Sequence, residues 1–360
     1  MKLKLVIALN LLLVNAPSFA AESVAPTGLR PCCAFGIHMK SELGVIPVPF
    51  FKVDNIVELS DLEQHRYNDG SQGVTSSLLG TGDEKNGLIY TSKGGIIDTA
   101  HVRDTADYTA FLYTQIKDNL GTDMQIVLDD ELRSRVINLT QQTVGMTADE
   151  QKLAEIQLSA LLAFRLAQWH EIAQWFGFTS VKGFKEYPSA FSPEDLYSNM
   201  LGSIIAIEVL QNLPELTKET YQVAFTEVFQ RKLQELGAQD YDRTEKIMND
   251  MDGAWWDSGK RLPDKWVVKT RDYTPRLTIT PHWGDTEERV TLSLEPFANL
   301  ESWGYLTLVE SNKEKKFSAL PSDLTSKKVW TVDDFVTIAK FAKSIDDKHE
   351  LNRNDLLPPY

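Results

Sequence analysis

The chain has 360 residues, with 37 Lys and Arg against 51 Asp and Glu, a formal net charge of −14, and 42% hydrophobic and 10% aromatic residues. That acidity excludes nucleic acid and anionic membrane surfaces as main partners, because both are polyanions. The apolar and aromatic content excludes a disordered chain and allows a large buried core, in one large domain or two coupled ones.

Residues 1–20, MKLKLVIALNLLLVNAPSFA, carry Lys2 and Lys4, an apolar run, and the small residues Ser18 and Ala20. This is the pattern of a cleaved signal peptide, so Ala21 is expected to open a mature chain that is more acidic still. No later apolar run nears the roughly 20 residues needed to cross a bilayer, and the mature protein is expected to be soluble and exported. Cys32 and Cys33 are adjacent. A bridge between neighbours is strained, so they read first as small buried hydrophobes; a metal ligand, a reactive thiol and an intermolecular link are the other roles.

The segment 21–60 is rich in Pro and Gly, and its VIPVPFF reads as an extended strap across the core. GSQGVTSSLLGTGDEKNG, over 70–87, reads as a surface loop. A strand and a double-glycine break then lead into a helix from about Thr99 to Asn119, on which His101, Asp104 and Asp107 share a face. MQIVLDDE and SRVINLT read as short strands. Thr147 and Glu150 form a capping-box signature for a helix to about Phe176, apolar on nearly every side in its middle and ended by Gly177. Toward its end Gln168, His170, Glu171 and Gln174 fall on one arc.

Ser192-Pro193-Glu194-Asp195 reads as the start of a further helix running to about Leu213, with a capping hydroxyl and two carboxylates at the positive end of the dipole. Asp195, Ser198, Asn199 and Gly202 share one face of it. Glycine inside a helix costs about 0.8–1 kcal/mol against alanine, so Gly202 is expected to permit close approach of another element. Two more helices follow, LTKETYQVAFTEVFQRKLQELG and TEKIMNDMDGAWW. The alternating runs KWVVKT, RLTITP, RVTLSLEP and GYLTLVE predict a small antiparallel sheet over about 262–310, and Thr331 and Asp334 cap a last helix. The late tryptophans, Trp255, Trp256, Trp266, Trp283 and Trp303, read mainly as core beneath that sheet, with sugar stacking as the functional alternative.

The chemistry concentrates at 167–202. His170-Glu171-x-x-Gln174 has the spacing of the zinc-peptidase motif H-E-x-x-H, with glutamine in place of the second histidine. DLYSNMLG, over 195–202, is similar to the later helix of gluzincin-type metallopeptidases, which carries a ligand glutamate and a carboxylate one turn on. The resemblance, confined to 168–202, implies a zincin-like site with Asp195 as a metal ligand, Ser198 and Gly202 matching, and Asn199 at the orienting position. Because Gln174 is a poor zinc ligand, His101 is the candidate third donor. The expected centre is then His101, His170 and Asp195 around zinc or another divalent transition metal, with Glu171 as general base. Asp104, Gln174, Ser198 and Asn199 would orient ligands or meet substrate. Against this stand plainer roles: Asp195 completing a capping box with Ser192, His170 and Glu171 on a solvated face, and His101, Asp104 and Asp107 pairing with Arg103.

The wider chain, through RPCCAFG, GGIIDTAHVRDTADYT, WHEIAQWFG and SAFSPEDLYSNMLG, resembles a family of exported bacterial proteins classed as a domain of unknown function. This implies a periplasmic or envelope setting and assigns no activity. The combined expectation is an α+β fold with a mainly helical domain over 21–260 that holds the site, and a β-rich subdomain with a terminal helix over 261–360. Its expected function is an exported metal-dependent hydrolase, a peptidase or amidase acting on peptide or cell-wall material. The alternative is a non-catalytic periplasmic binding or scaffold protein. No G-x-S-x-G or phosphate-loop pattern is present, and a cysteine hydrolase pairing Cys32 or Cys33 with a histidine competes less well.

Overall fold

The computed structural model describes residues 24–27, 41–43, 46–48, 55–70, 84–180, 185–282, 288–312 and 317–354. The signal segment, Cys32 and Cys33, Trp283 and most of the 70–87 loop lie outside them. The fold is α+β, with helices at the centre and small antiparallel sheets around them. A short hairpin, β1 (Ser41–Leu43) and β2 (Ile46–Val48), falls within the expected strap.

A second hairpin, β3 (Leu88–Thr91) and β4 (Gly95–Asp98), is buried along its whole length and delivers the chain into α1 (Thr99–Ile116). Asp98 caps that helix: its Oδ1 accepts from the Ala100 and His101 backbone N–H groups at 2.8 and 3.3 Å. α2 (Ala148–Trp175) starts on the expected capping box of Thr147 and Glu150 and ends at Gly177, whose φ of +89° lies in the left-handed region that favours glycine. Its middle, Leu158–Phe164, is buried on every side and is apolar at every position but Ser159.

α3 (Asp195–Asn212) is buried over almost its full length and packs against both α1 and α2. A Cβ added at Gly202 would stand 2.2 Å from the Val102 carbonyl oxygen, so α3 and α1 meet backbone to backbone at that point. Ser203 Oγ donates to the Ala160 carbonyl oxygen and ties α3 to α2. α4 (Lys218–Glu235) packs on α3, and α5 (Tyr241–Met251) covers β3. The 55–70 segment is fastened to α1 by a buried network: His65 lies 2.8 Å from Asp107 and 3.0 Å from Glu84, which also meets Arg103. Asp107 and Arg103 thus pair across to this segment, on a different face of α1 from His101.

β5 (Met124–Glu131), β6 (Arg133–Leu139), β9 (Gly304–Val309) and β10 (Val329–Thr331) form one antiparallel sheet in the order β10-β9-β6-β5. GYLTLVE therefore pairs with a strand from the middle of the chain and with the later β10, rather than with RLTITP or RVTLSLEP. Between them, β7 (Thr278–Ile279) and β8 (Leu292–Ser293) pair over two residues each, and Lys265–Val267 is a 3-10 turn opened by Asp264 instead of a strand. After a one-turn helix, α6 (Ser322–Thr325), Thr331 N–H donates to the Asp334 carboxylate and opens α7 (Val332–Asn354). Trp169 of α2 packs among Phe317, Trp330 and Phe335, which joins the sheet and α7 to the helical core. Among the described residues no helix is long and apolar enough to cross a membrane.

Candidate functional site

Each of the three central helices contributes to one buried cluster. α1 brings Asp98 and His101, α2 brings Glu171, and α3 brings Asp195. His101 Nδ1 lies 3.2 Å from Asp98 Oδ2 and 3.6 Å from Asp195 Oδ1, while its Nε2 lies 3.8 Å from Glu171 Oε1. Donor atoms of Asp98, His101 and Asp195 all fall within 4.8 Å of one another, the spacing of groups that could hold one cation. Asp98 serves two purposes: one carboxylate oxygen caps α1 while the other faces the imidazole three residues on.

The Asp195 side chain does not take the capping role that Ser192 would have offered it. A capping carboxylate accepts backbone N–H groups, but both Asp195 oxygens are buried without a hydrogen-bond partner among the described residues. The helix also starts later than Ser192-Pro193 implies. Its first residue is Asp195, and the Ser192 hydroxyl donates to Glu194 Oε2 at 2.7 Å instead of closing a capping box. An unsatisfied buried carboxylate is costly, by roughly 1–3 kcal/mol for a neutral polar group and more when charged, so this one calls for a partner such as a cation.

Charge in the cluster is lopsided. Burial pushes the Asp195 carboxyl well above the ordinary carboxylate range, and the neighbouring Glu171 charge pushes it the same way. Burial holds the Glu194 carboxyl at about 7. For His101, burial works against protonation, yet Asp195 and Asp98 outweigh it and lift the imidazole well above its usual range. Four carboxylates thus crowd one imidazole, an arrangement that favours taking up positive charge.

Glu171 is held by a strained loop. Its Oε2 accepts the Phe191 N–H at 2.7 Å, and Phe191 sits at φ +61°, where a bulky residue is an outlier. The buried Arg271 guanidinium pins that loop by donating to the Pro188, Ala190 and Lys265 carbonyl oxygens. Glu171 Oε1 has no hydrogen-bond partner among the described residues and faces His101. On the other side, Glu194 lines a shallow cleft with Tyr197, Trp255 and His282.

The remaining sequence candidates spread around this centre. Ser198 Oγ accepts the Asp98 N–H at 2.9 Å, and Asn199 Oδ1 accepts the Thr105 hydroxyl at 2.6 Å, so both fasten α3 to α1 beside the cluster. Asp104 is half-buried one turn along α1 from His101. Gln174 donates to Glu186 at 3.4 Å. His170 is not in the group of close donors; its Nδ1 lies 3.2 Å from Glu131 Oε1. The residues that sequence reasoning missed in this role are Asp98, Glu131, Glu194, Arg271 and Phe191. For Asp98 a signal existed: an aspartate capping a helix stands one turn from the residue three places on, which here is His101.

The fold and the cluster define an α+β protein whose three central helices converge on a buried acid–imidazole centre. Residues 20–283 match the family described as protein of unknown function (DUF4056), and the chain belongs to that family. No curated protein and no solved structure matches the chain.

Proposed function

We propose that the protein is an exported metal-dependent hydrolase, a peptidase or amidase acting on peptide or cell-wall material. Asp98, His101 and Asp195 would hold the metal, and Glu171 would serve as general base. The observation that carries this reading is the Asp195 carboxylate, buried with neither oxygen hydrogen-bonded among the described residues, within ligand reach of Asp98 and His101. One imidazole and two carboxylates suit zinc or another divalent transition ion, which when bound would polarise a water and a substrate carbonyl. Glu171 Oε1 has no hydrogen-bond partner among the described residues and would accept the water proton, while the Phe191 N–H fixes its other oxygen. The export signal read in residues 1–20 supports the envelope setting.

The test is metal content and turnover measured together. Untagged protein stripped with EDTA and reloaded should bind close to one Zn2+ or Mn2+, and His101→Gln should lose that ion. Glu171→Gln should keep the ion and lose hydrolysis of peptide substrates. Absence of stoichiometric metal in the reloaded wild-type protein would overturn the reading. The tight burial of Asp98 and Asp195, with only His101 of the three reaching solvent, favours the second reading of a non-catalytic binding or scaffold protein. That reading predicts metal binding without turnover.

A further inference from the structure

Beside the metal candidate lies a second acid–imidazole pair, which the proposed function does not use. The register of β5 against β6 shifts between Leu128 and Glu131, and the next residue, Leu132, sits at φ +60°. A branched side chain enters that region only under strain, and bulges of this kind commonly re-aim a side chain beside a site. Here the bulge turns Glu131 inward. Its Oε1 lies 2.8 Å from Arg135 and 3.2 Å from His170 Nδ1, and the Trp169 indole N–H donates to its carbonyl oxygen. With Nδ1 on a carboxylate, the free ring nitrogen of His170 is Nε2, and the side chain keeps 23% of its surface exposed.

The two pairs share α2, where His170 immediately precedes Glu171. On α1 the partly exposed positions near the site are His101, Asp104 and Tyr108, one per turn, and Tyr108 lies beneath the Arg135 guanidinium. On the facing stretch of α2 they are Ala167 and His170. Glu171 is the next residue on α2 after His170, and its charge acts on the His170 imidazole.

We propose that His170 is the general acid that protonates the leaving nitrogen of an amide substrate, with Glu131 as the residue that positions it, an inference that rests on the hydrolase reading above. In the reaction Glu171 accepts a proton from water as the water oxygen bonds to the scissile carbonyl carbon. The carbon–nitrogen bond then breaks with its electron pair on nitrogen, and the His170 Nε2 proton passes to that nitrogen. Amine and carboxylic acid leave, and the proton on Glu171 returns to His170 through solvent, so one water is consumed. Burial disfavours the imidazolium, but the charge and hydrogen bond of Glu131, with smaller help from Glu171 and Glu186, raise its pKa to about 9. Arg135, which meets the same Glu131 oxygen as His170, completes the charged surroundings. A group that keeps its proton at neutral pH suits the acid's task.

The test uses the metal-loaded full chain with two probes, alanine 4-nitroanilide and alanine 4-nitrophenyl ester. Nitrophenolate departs without a proton, whereas the anilide nitrogen needs one. His170→Gln should lower kcat/KM on the anilide by about 100-fold or more, the ordinary worth of a general acid, and on the ester by less than about threefold. His170→Asn should repeat that split, and both variants should keep wild-type circular dichroism and metal content. Glu131→Gln should move the NMR titration midpoint of His170 down by more than about one pH unit. Equal loss on both probes, or an unmoved midpoint, overturns the role of His170 alone. Wild-type protein that binds metal but turns over neither probe overturns this role together with the hydrolase reading.

Discussion

Gly202 meets Val102 so closely that a Cβ on the glycine would lie 2.2 Å from the valine carbonyl oxygen and 3.0 Å from its carbonyl carbon. The contact sets the distance between the helices that carry Asp195 and His101, because Asp195 shares the face of Gly202 two turns earlier and His101 directly precedes Val102. The close approach expected of Gly202 is therefore what lets the two ligand candidates come within 3.6 Å.

Two effects oppose each other in Gly202→Ala. Alanine is the better helix former by about 1 kcal/mol. Its methyl, however, collides with backbone that cannot yield unless α1 and α3 part, and overpacking of this kind costs about 1–3 kcal/mol or more. The expected net result is a lower urea midpoint together with at least about tenfold weaker Zn2+ binding, since about 1.4 kcal/mol of misplacement suffices for that. Wild-type values in both measurements would show that α1 and α3 do not depend on this contact.

Asp195→Asn should separate stability from binding. Asparagine removes a carboxyl whose ionisation is opposed by burial and then by the neighbouring Glu171 charge, so the metal-free variant should be more stable by about 1–2 kcal/mol, the usual gain from relaxing a functional site. The rise in melting temperature that wild-type protein shows on adding Zn2+ should disappear, because that rise reports ligand binding to the native state. Melting curves with EDTA and with zinc check both halves. A variant less stable than wild type in EDTA would make Asp195 a structural residue.

The helical frame could be read from the chain because its signals are local. Thr147 and Glu150 cap α2, the apolar run after them has no solvent face, and Gly177 supplies the left-handed stop. The sheet was less legible, since nothing local in GYLTLVE announces a partner at 133–139. Glu131 shows a deeper obstacle. Ile126 and Leu128 point inward, so strict alternation assigns Asp130 to the core and Glu131 to solvent. The bulge reverses that parity, and Glu131 becomes the buried partner of His170. The H-E-x-x-Q spacing singles out the turn of helix that carries His170 and Glu171, but which way each side chain points depends on neighbours distant in sequence. Glu171 faces α1, whereas His170 faces β5.

The His170–Glu131 pair also predicts how stability varies with pH. An imidazole held at about 9 in the native state, against 6.5 when unfolded, binds its proton more tightly in the folded protein. Between those two values the native state holds more protons than the unfolded one, so stability falls as pH rises. The contribution is fully present below about pH 6.5 and lost by passage through about 9. Its ceiling is about 3 kcal/mol, and the partial exposure of the ring lowers it. Urea unfolding of wild type and His170→Gln from pH 6 to 10 should therefore give a stability difference that shrinks steadily with rising pH. In Glu131→Gln the slope over the same interval should flatten, because the carboxylate that holds the proton is gone. A wild-type-minus-variant difference independent of pH would mean that His170 is neutral at Glu131 throughout.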